Sequence, residues 1–340
     1  LDANAMAEMV SRQKIDSIFN LVALLSAVGE AKPQTAWQVN IGALMNSLEV
    51  ARQYNCALFT PSSIGAFGPS SPKDKTPQDT VMRPTTMYGV CKVTGEMLGD
   101  YYHSRFGVDT RSVRFPGLIS NVTLPGGGTT DYAVEIYYEA IRSGRFTCPV
   151  PGDVYMDMMY MPDALRACVE LMEADPTKLV HRNSFNIASM SFTPEIIYAE
   201  IKKRLPDFTM DYDVDPVKKA IAESWPNSLD DTCAREEWGW KPGWERSSMT
   251  EETVEVIRKK NQKKWPVIRC GSCAAIRAEN RAEWCRRTPA RHGSVPRRSS
   301  ILPRVGTARL CRLILRERPV LRFFGLRSLP VNGWRCTVIP

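Results

Sequence analysis

Apolar positions along the first 115 residues switch between two spacings. Residues 3–13 have helix-forming composition, and Ile15–Ala23 is a short β-rich run of the kind that forms a buried parallel strand. From Gly29 to Tyr54, residues Trp37, Val39, Ile41, Leu44, Met45, Leu48 and Val50 recur at helical spacing. Cys56–Thr60 predicts a second strand, residues 85–106 a second helix, and Asp109–Phe115 a third strand. A loop rich in Pro, Ser, Lys and Asp runs from Pro69 to Pro84. Strand, helix, strand, helix, strand without tight hairpins predicts an α/β fold, a doubly wound parallel sheet with right-handed crossovers.

Beyond Pro116 the pattern is less regular. A glycine loop, Pro125-Gly-Gly-Gly-Thr-Thr130, leads into a predicted helix over 131–143, followed by helix Met161–Glu173 and strand Phe185–Ala188. Thr193-Pro194-Glu195 reads as a helix start, with a Thr cap and Pro in the first turn. These elements are expected to form a smaller C-terminal substrate lobe. The expected organisation is 1–120 for the strand–helix region, 121–266 for the lobe with returning sheet elements, and 267–340 for a tail of unrelated origin.

Charge sets the tail apart. The 340-residue chain carries a formal net charge of +8. Residues 267–340 hold 16 Arg, no Lys and 3 Glu, so the positive balance belongs to them and the body is mildly acidic. A tail using Arg alone, with short apolar patches and no sustained period, is expected to be disordered and not a nucleic-acid arm. Cys270-x-x-Cys273 with Cys285 lacks the second pair of a zinc motif, and no metal is expected. Cys56, Cys91, Cys148, Cys168 and Cys233 are scattered singly through the body, which suits free thiols. No apolar run is long enough to span a membrane. The chain opens on Leu1 and an acid-containing segment, which reads as a fragment and not as a leader peptide.

The chemistry lies in two short stretches. Tyr88 and Lys92 form Tyr-x-x-x-Lys, and on a helix positions i and i+4 share a face. An ammonium beside a phenol favours the phenolate, which suits Tyr88 as a general base. Phe59-Thr-Pro-Ser-Ser-Ile-Gly-Ala-Phe-Gly-Pro69 places Ser62 and Ser63 at the carboxyl end of a parallel strand, where open α/β sheets bind ligands. Hydroxyl, Tyr and Lys together make a hydride-transfer site: Ser63 holds the substrate oxygen, Tyr88 takes its proton, and Lys92 tunes Tyr88 and holds the nicotinamide ribose.

The Ser-Ser-Ile-Gly-Ala-Phe-Gly-Pro block, Met87-Tyr-Gly-Val-Cys-Lys92 and Arg114-Phe-Pro-Gly-Leu-Ile-Ser120 resemble the extended short-chain dehydrogenases/reductases. Four further stretches resemble the L-threonine 3-dehydrogenase branch: Ala23-Leu-Leu-Ser-Ala-Val-Gly-Glu30, Pro125–Ala133, Met190-Ser-Phe-Thr-Pro-Glu195, and Ala220-Ile-Ala-Glu-Ser-Trp-Pro226 with Asp230-Asp231 and Trp238-Gly-Trp240. The likeness covers about residues 1–245 and implies a Rossmann-like sheet that uses NAD to oxidise L-threonine to 2-amino-3-oxobutyrate. It implies that Tyr88, Lys92, Leu118, Leu21 and Ala23 touch the cofactor. It makes Ser26, Thr129 and Thr130 candidates for holding the amino-acid head group, the alternative being a helix cap for Ser26 and turn positions for the two threonines, and it has Trp225 either close the pocket or belong to the core. Ser62, at the same strand end as Ser63, is a further substrate-binding candidate. It also implies a homodimer through the helices over 29–55 and 85–106, and a mitochondrial location.

Two features depart from that pattern. Ser63 stands where the family has Thr, which keeps the hydroxyl. The sequence has no Gly-x-x-Gly-x-x-Gly turn to meet a pyrophosphate with backbone N–H groups. The expectation is therefore a sheet lacking its first strand-turn-helix, an exposed edge prone to aggregation, and weak NAD binding and turnover. The competing readings are a nucleotide-sugar epimerase/dehydratase, which uses the same trio, and an inactive product of a faulty gene model.

Overall fold

A computed structural model describes residues 2–126, 128–264, 329–331 and 334–339. Helix α1 (Ala3–Gln13) starts at Asp2, whose carboxylate accepts from the Ala5 N–H at 3.0 Å, and ends at Lys14 in the left-handed region. Strand β1 (Ser17–Asn20) follows. The long helix expected over 29–54 is two: α2 (Ser26–Ala31) and α3 (Pro33–Tyr54). Pro33 explains the break, because its ring excludes the helical conformation at Lys32 and suits the first position of the next helix. Then come β2 (Ala57–Phe59), the two-residue β3 (Ser62–Ser63), and α4 (Met87–Phe106). Thr86 caps α4 through the Gly89 N–H, and Gly107 ends it at φ 68°. Residues 110–119 supply β4 (Thr110–Arg111), β5 (Val113–Phe115) and β6 (Gly117–Ile119).

The second half contributes α5 (Tyr132–Arg142), β7 (Arg145–Cys148), β8 (Met156–Tyr160) and α6 (Met161–Glu173). After them come β9 (Phe185–Asn186), β10 (Met190–Phe192), α7 (Pro194–Lys202), β11 (Thr209–Tyr212), α8 (Pro216–Ser224), α9 (Thr232–Trp238) and α10 (Arg246–Lys264). The expected cap at Thr193 is present: its hydroxyl accepts from the Ile196 N–H, and Pro194 opens α7.

The main sheet runs β12 (Leu329–Val331), β13 (Trp334–Ile339), β1, β2, β4, with every pair from β13 to β4 parallel. Its direction continues in the parallel set β3-β5-β9. β6 and β8 are also parallel, with β10 antiparallel at the edge, and β11 pairs with β7. The expected α/β parallel sheet is therefore present. The expected bare edge beside β1 is not: β13 pairs along it, Ser17 opposite Cys336 through Asn20 opposite Ile339. That pairing satisfies backbone groups an open edge would leave exposed. It also gives two strands to a tail expected to be disordered, whose residues 265–328 lie outside the described residues.

One core cluster is built entirely from residues 119–257, including Tyr137, Tyr160, Phe192 and Ile257. Another joins Phe59 and Val113 of the parallel sheet to Met159, Ala164 and Trp240, so the two halves share packing under the site. Arg111 donates to the carbonyls of Leu171, Met172 and Ala174, satisfying the carboxyl end of α6. Cys56, Cys91, Cys148, Cys168 and Cys233 are all free, as their spacing suggested.

Asp157 of β8 is 1% exposed and accepts the Leu229 N–H at 3.0 Å, fastening the segment after α8 to the sheet. Burial pushes its carboxyl up to about 8 against the N–H groups of Leu229, Ser189 and Met158, which pull it down. The folded state therefore holds a proton that the unfolded chain, with an Asp pKa of about 3.9, releases. This contribution to stability is complete below about pH 4 and is lost as pH rises through about 8. Asp157→Asn is expected to flatten the decline of Tm between pH 5.5 and 8.5, measured by thermal unfolding; a decline as steep as in the parent chain contradicts the assignment.

Candidate active site

β2 ends at Phe59, and the chain passes through Pro61 into β3, which puts Ser62 and Ser63 on opposite faces. Ser63 accepts the Gly65 N–H at 3.1 Å and caps a single 3-10 turn over Ile64–Ala66. Ser62 turns inward, is 5% exposed, and donates to the Glu96 carboxylate. Its hydroxyl is thus already partnered, while Ser62 lines the same cavity as Ala23, Thr60 and Lys92.

Tyr88 and Lys92 lie on the first two turns of α4, and the Lys92 ammonium sits 5.3 Å from the Tyr88 ring centroid. Lys92 Nζ donates to the Pro61 carbonyl at 2.6 Å, tying the helix to the Ser63 loop. Gly65 lets these pieces meet: a Cβ there would lie 3.1 Å from Tyr88 Cε1 and 3.5 Å from Ser63 Oγ. The trio Ser63, Tyr88 and Lys92 is thus gathered at one place.

The other expected residues surround it. Leu21, Leu25 and Val28 form an apolar stretch after β1, each about two-fifths exposed. Ala23 lines a cavity with Asn20, Thr60, Pro61 and Lys92. Leu118 sits half-buried on β6, and Thr130 packs against Gly117 beside it, 2.8 Å from where a Cβ would stand. Thr129 is buried, and its hydroxyl makes no hydrogen bond among the described residues. Ser26 is buried in the first turn of α2, one residue from Leu25, which approaches Gly126 of the glycine loop. Trp225 packs with Ile64, Phe67, Ile221 and Leu229, so it is a core residue beneath the Ser63 loop.

Three residues escaped the sequence reading. Glu96 lies one helical turn after Lys92 and pairs with Arg114 at 2.8 Å, both side chains 5% exposed or less. Arg114 also donates to the Gln78 carbonyl and the Asn186 side chain and stacks over Phe67. Asn40 of α3 accepts the Leu24 N–H at 2.7 Å and donates to the Leu24 carbonyl, clamping the apolar stretch in place. Charged residues on the inner faces of a helix and a strand were the available signal for the first two.

The family described as the NAD dependent epimerase/dehydratase family matches residues 1–188. The chain belongs to this family. An uncharacterized epimerase/dehydratase of Staphylococcus haemolyticus is 57% identical over 260 residues, covering 76% of this chain and 82% of the relative. Among solved structures, L-threonine dehydrogenase from Clostridium difficile is 56% identical, covers 76% of this chain and 81% of its own, and superposes with a TM-score of 0.75. L-threonine dehydrogenase from Phytophthora infestans is 50% identical at the same TM-score, with 76% and 84% covered. The protein is therefore an enzyme of the epimerase/dehydratase family, and the cofactor of that family is NAD.

The described residues fit the nicotinamide half of that cofactor. The apolar stretch at Leu21 and Leu25 offers a surface for a flat ring, and Tyr88 and Lys92 offer donors for a ribose. No Gly-x-x-Gly-x-x-Gly turn of the kind that meets a pyrophosphate occurs among residues 1–340.

Proposed function

We propose that this protein oxidises the β-hydroxyl of L-threonine to give 2-amino-3-oxobutyrate. NAD, when bound, supplies the hydride acceptor. Ser63 Oγ holds the substrate hydroxyl, Tyr88 takes its proton, and Lys92 holds Tyr88 and the Pro61 loop in register. Thr129, with a buried hydroxyl free among the described residues, and Thr130 are the candidates for the amino-acid head group, with Ser26 across the loop. Leu118, Leu21 and Ala23 flank the cofactor side. What supports the reading above all is that likeness to L-threonine dehydrogenases extends over both the trio and the second lobe, at 56% identity across 76% of the chain. A UDP-glucose 4-epimerase from Thermotoga maritima covers the same 76% of the chain but at 22% identity, so the level of identity, not the shared lobe, favours the L-threonine reading.

The test is NADH formation with L-threonine at high NAD, beside product analysis of UDP-glucose, whose epimerisation or dehydration returns the hydride and leaves no net NADH. L-threonine should give NADH, and UDP-glucose should be recovered unchanged. Turnover of UDP-glucose with none of L-threonine overturns the proposal.

The helices α3 and α4 leave Trp37, Val90, Met97 and Tyr101 exposed, Met97 at 66%. We propose that two copies pair through these helices in a four-helix contact. Light scattering is expected to give a dimer for the parent chain and a monomer for Met97→Glu; a monomer in both contradicts the pairing.

A further inference from the structure

Away from the site, α9 and the loop before β9 bring together three side chains of different chemistry. Cys233 and Glu237 stand four residues apart on α9 and so share a face. His181 reaches them from the loop, and one donor atom from each of the three lies within 4.8 Å of the others. This is the only such group among the described residues.

Two of the three donors are held in place. Glu237 Oε2 accepts the backbone N–H groups of Val180, at 2.5 Å, and His181, at 3.1 Å, which leaves Oε1 toward the His181 ring. His181 Nδ1 hydrogen-bonds that Oε1. The ring edge packs on Phe185, with centroids 6.4 Å apart. On its far side, Nε2 lies 3.5 Å from Asp79 Oδ2. A carboxylate behind a histidine fixes the tautomer and turns the other nitrogen toward an ion, which is the usual support of a histidine ligand.

We propose that Cys233, His181 and Glu237 bind one divalent transition ion of the zinc class, with Asp79 orienting His181 from behind. The sequence predicts no metal here, because His181 lies over fifty residues before Cys233 and Glu237 and the three form no motif. Sulfur, imidazole nitrogen and carboxylate oxygen suit Zn²⁺, with a water completing a tetrahedron. Zinc–donor bonds of about 2.0–2.3 Å put neighbouring donors roughly 3.3–3.8 Å apart. From the present 4.8 Å limit the group has to contract by about 1 Å at its widest pair, while the His181–Glu237 hydrogen bond opens to admit the ion. Thiolate and carboxylate together neutralise the ion, and the thiol proton is released on binding. The ion would tie α9 to the loop that precedes β9. Beside this loop, Gln78 bonds Ser184 and Asn186, and Asn186 in turn meets Arg114.

The experiment is titration of the full-length reduced chain with Co²⁺, read as thiolate-to-metal charge-transfer absorption, followed by displacement with Zn²⁺. One equivalent should give the band, and Zn²⁺ should abolish it. Cys233→Ser should lose the band, whereas Cys270→Ser with Cys273→Ser should keep it. Asp79→Asn, on an exposed loop that leaves the fold intact, should weaken Zn²⁺ affinity by about 10–100-fold. No band, a band that survives Cys233→Ser, or one lost with the tail pair overturns the proposal. If Cys233→Ser does not fold, Asp79→Asn decides, and unchanged affinity refutes the site.

Discussion

Tyr88→Phe is expected to lower kcat/KM for L-threonine by about 10²–10⁴-fold, the usual contribution of a positioned general base. Phenylalanine keeps the ring that packs over Gly65, so the Ser63 loop and the start of α4 stay where they are. Only the proton acceptor is removed. The Tm should therefore hold while turnover collapses, and steady-state kinetics beside thermal unfolding reads both. A Phe variant that retains most of its turnover would place the base elsewhere, and a variant that loses turnover and Tm together would make Tyr88 structural.

Glu96→Ala is expected to destabilise the fold by about 3–5 kcal/mol, the cost of leaving one member of a buried ion pair behind. Arg114 is 5% exposed and would keep its charge with only the Gln78 carbonyl and the Asn186 amide oxygen as acceptors. Ser62 would lose its acceptor as well. Because Ser62 is joined to Ser63, the loss reaches the loop that carries the substrate hydroxyl's partner. Replacing both charges at once, Glu96→Leu with Arg114→Met, should cost less than Glu96→Ala alone, since no unpaired charge remains. Urea unfolding measures all three chains. A double variant less stable than the single one would mean that Arg114 works through its contacts with Gln78, Asn186 and Phe67 more than through its charge.

The elements that sequence made legible are those whose pattern is local. Helix α6 was bounded correctly at both ends, and α7 was announced by Thr193-Pro194. The trio was legible because Tyr88 and Lys92 are one turn apart and Ser63 follows a recognisable strand. Strand β8 was not, because it is buried on both faces and shows no alternation, and Asp157 interrupts its apolar run. Helix α10 buries Met249, Val254 and Ile257 within an otherwise polar surface, too little for its period to stand out. Adjacent serines look alike in sequence, and only the strand's alternation shows that Ser62 meets Glu96 while Ser63 caps the turn. The partner of the β1 edge was hidden for a different reason, since strand pairing between residues 17–20 and 336–339 leaves no trace in local pattern.

The central claim is that a hydride leaves Cβ of L-threonine under the control of Tyr88. The direct measurement is incubation of the chain with NAD and L-threonine carrying deuterium on Cβ, followed by mass analysis of the reduced cofactor. The account predicts reduced cofactor one deuterium heavier from the parent chain and none from Tyr88→Phe. A folded chain that forms no reduced cofactor, or forms it without deuterium, contradicts the account.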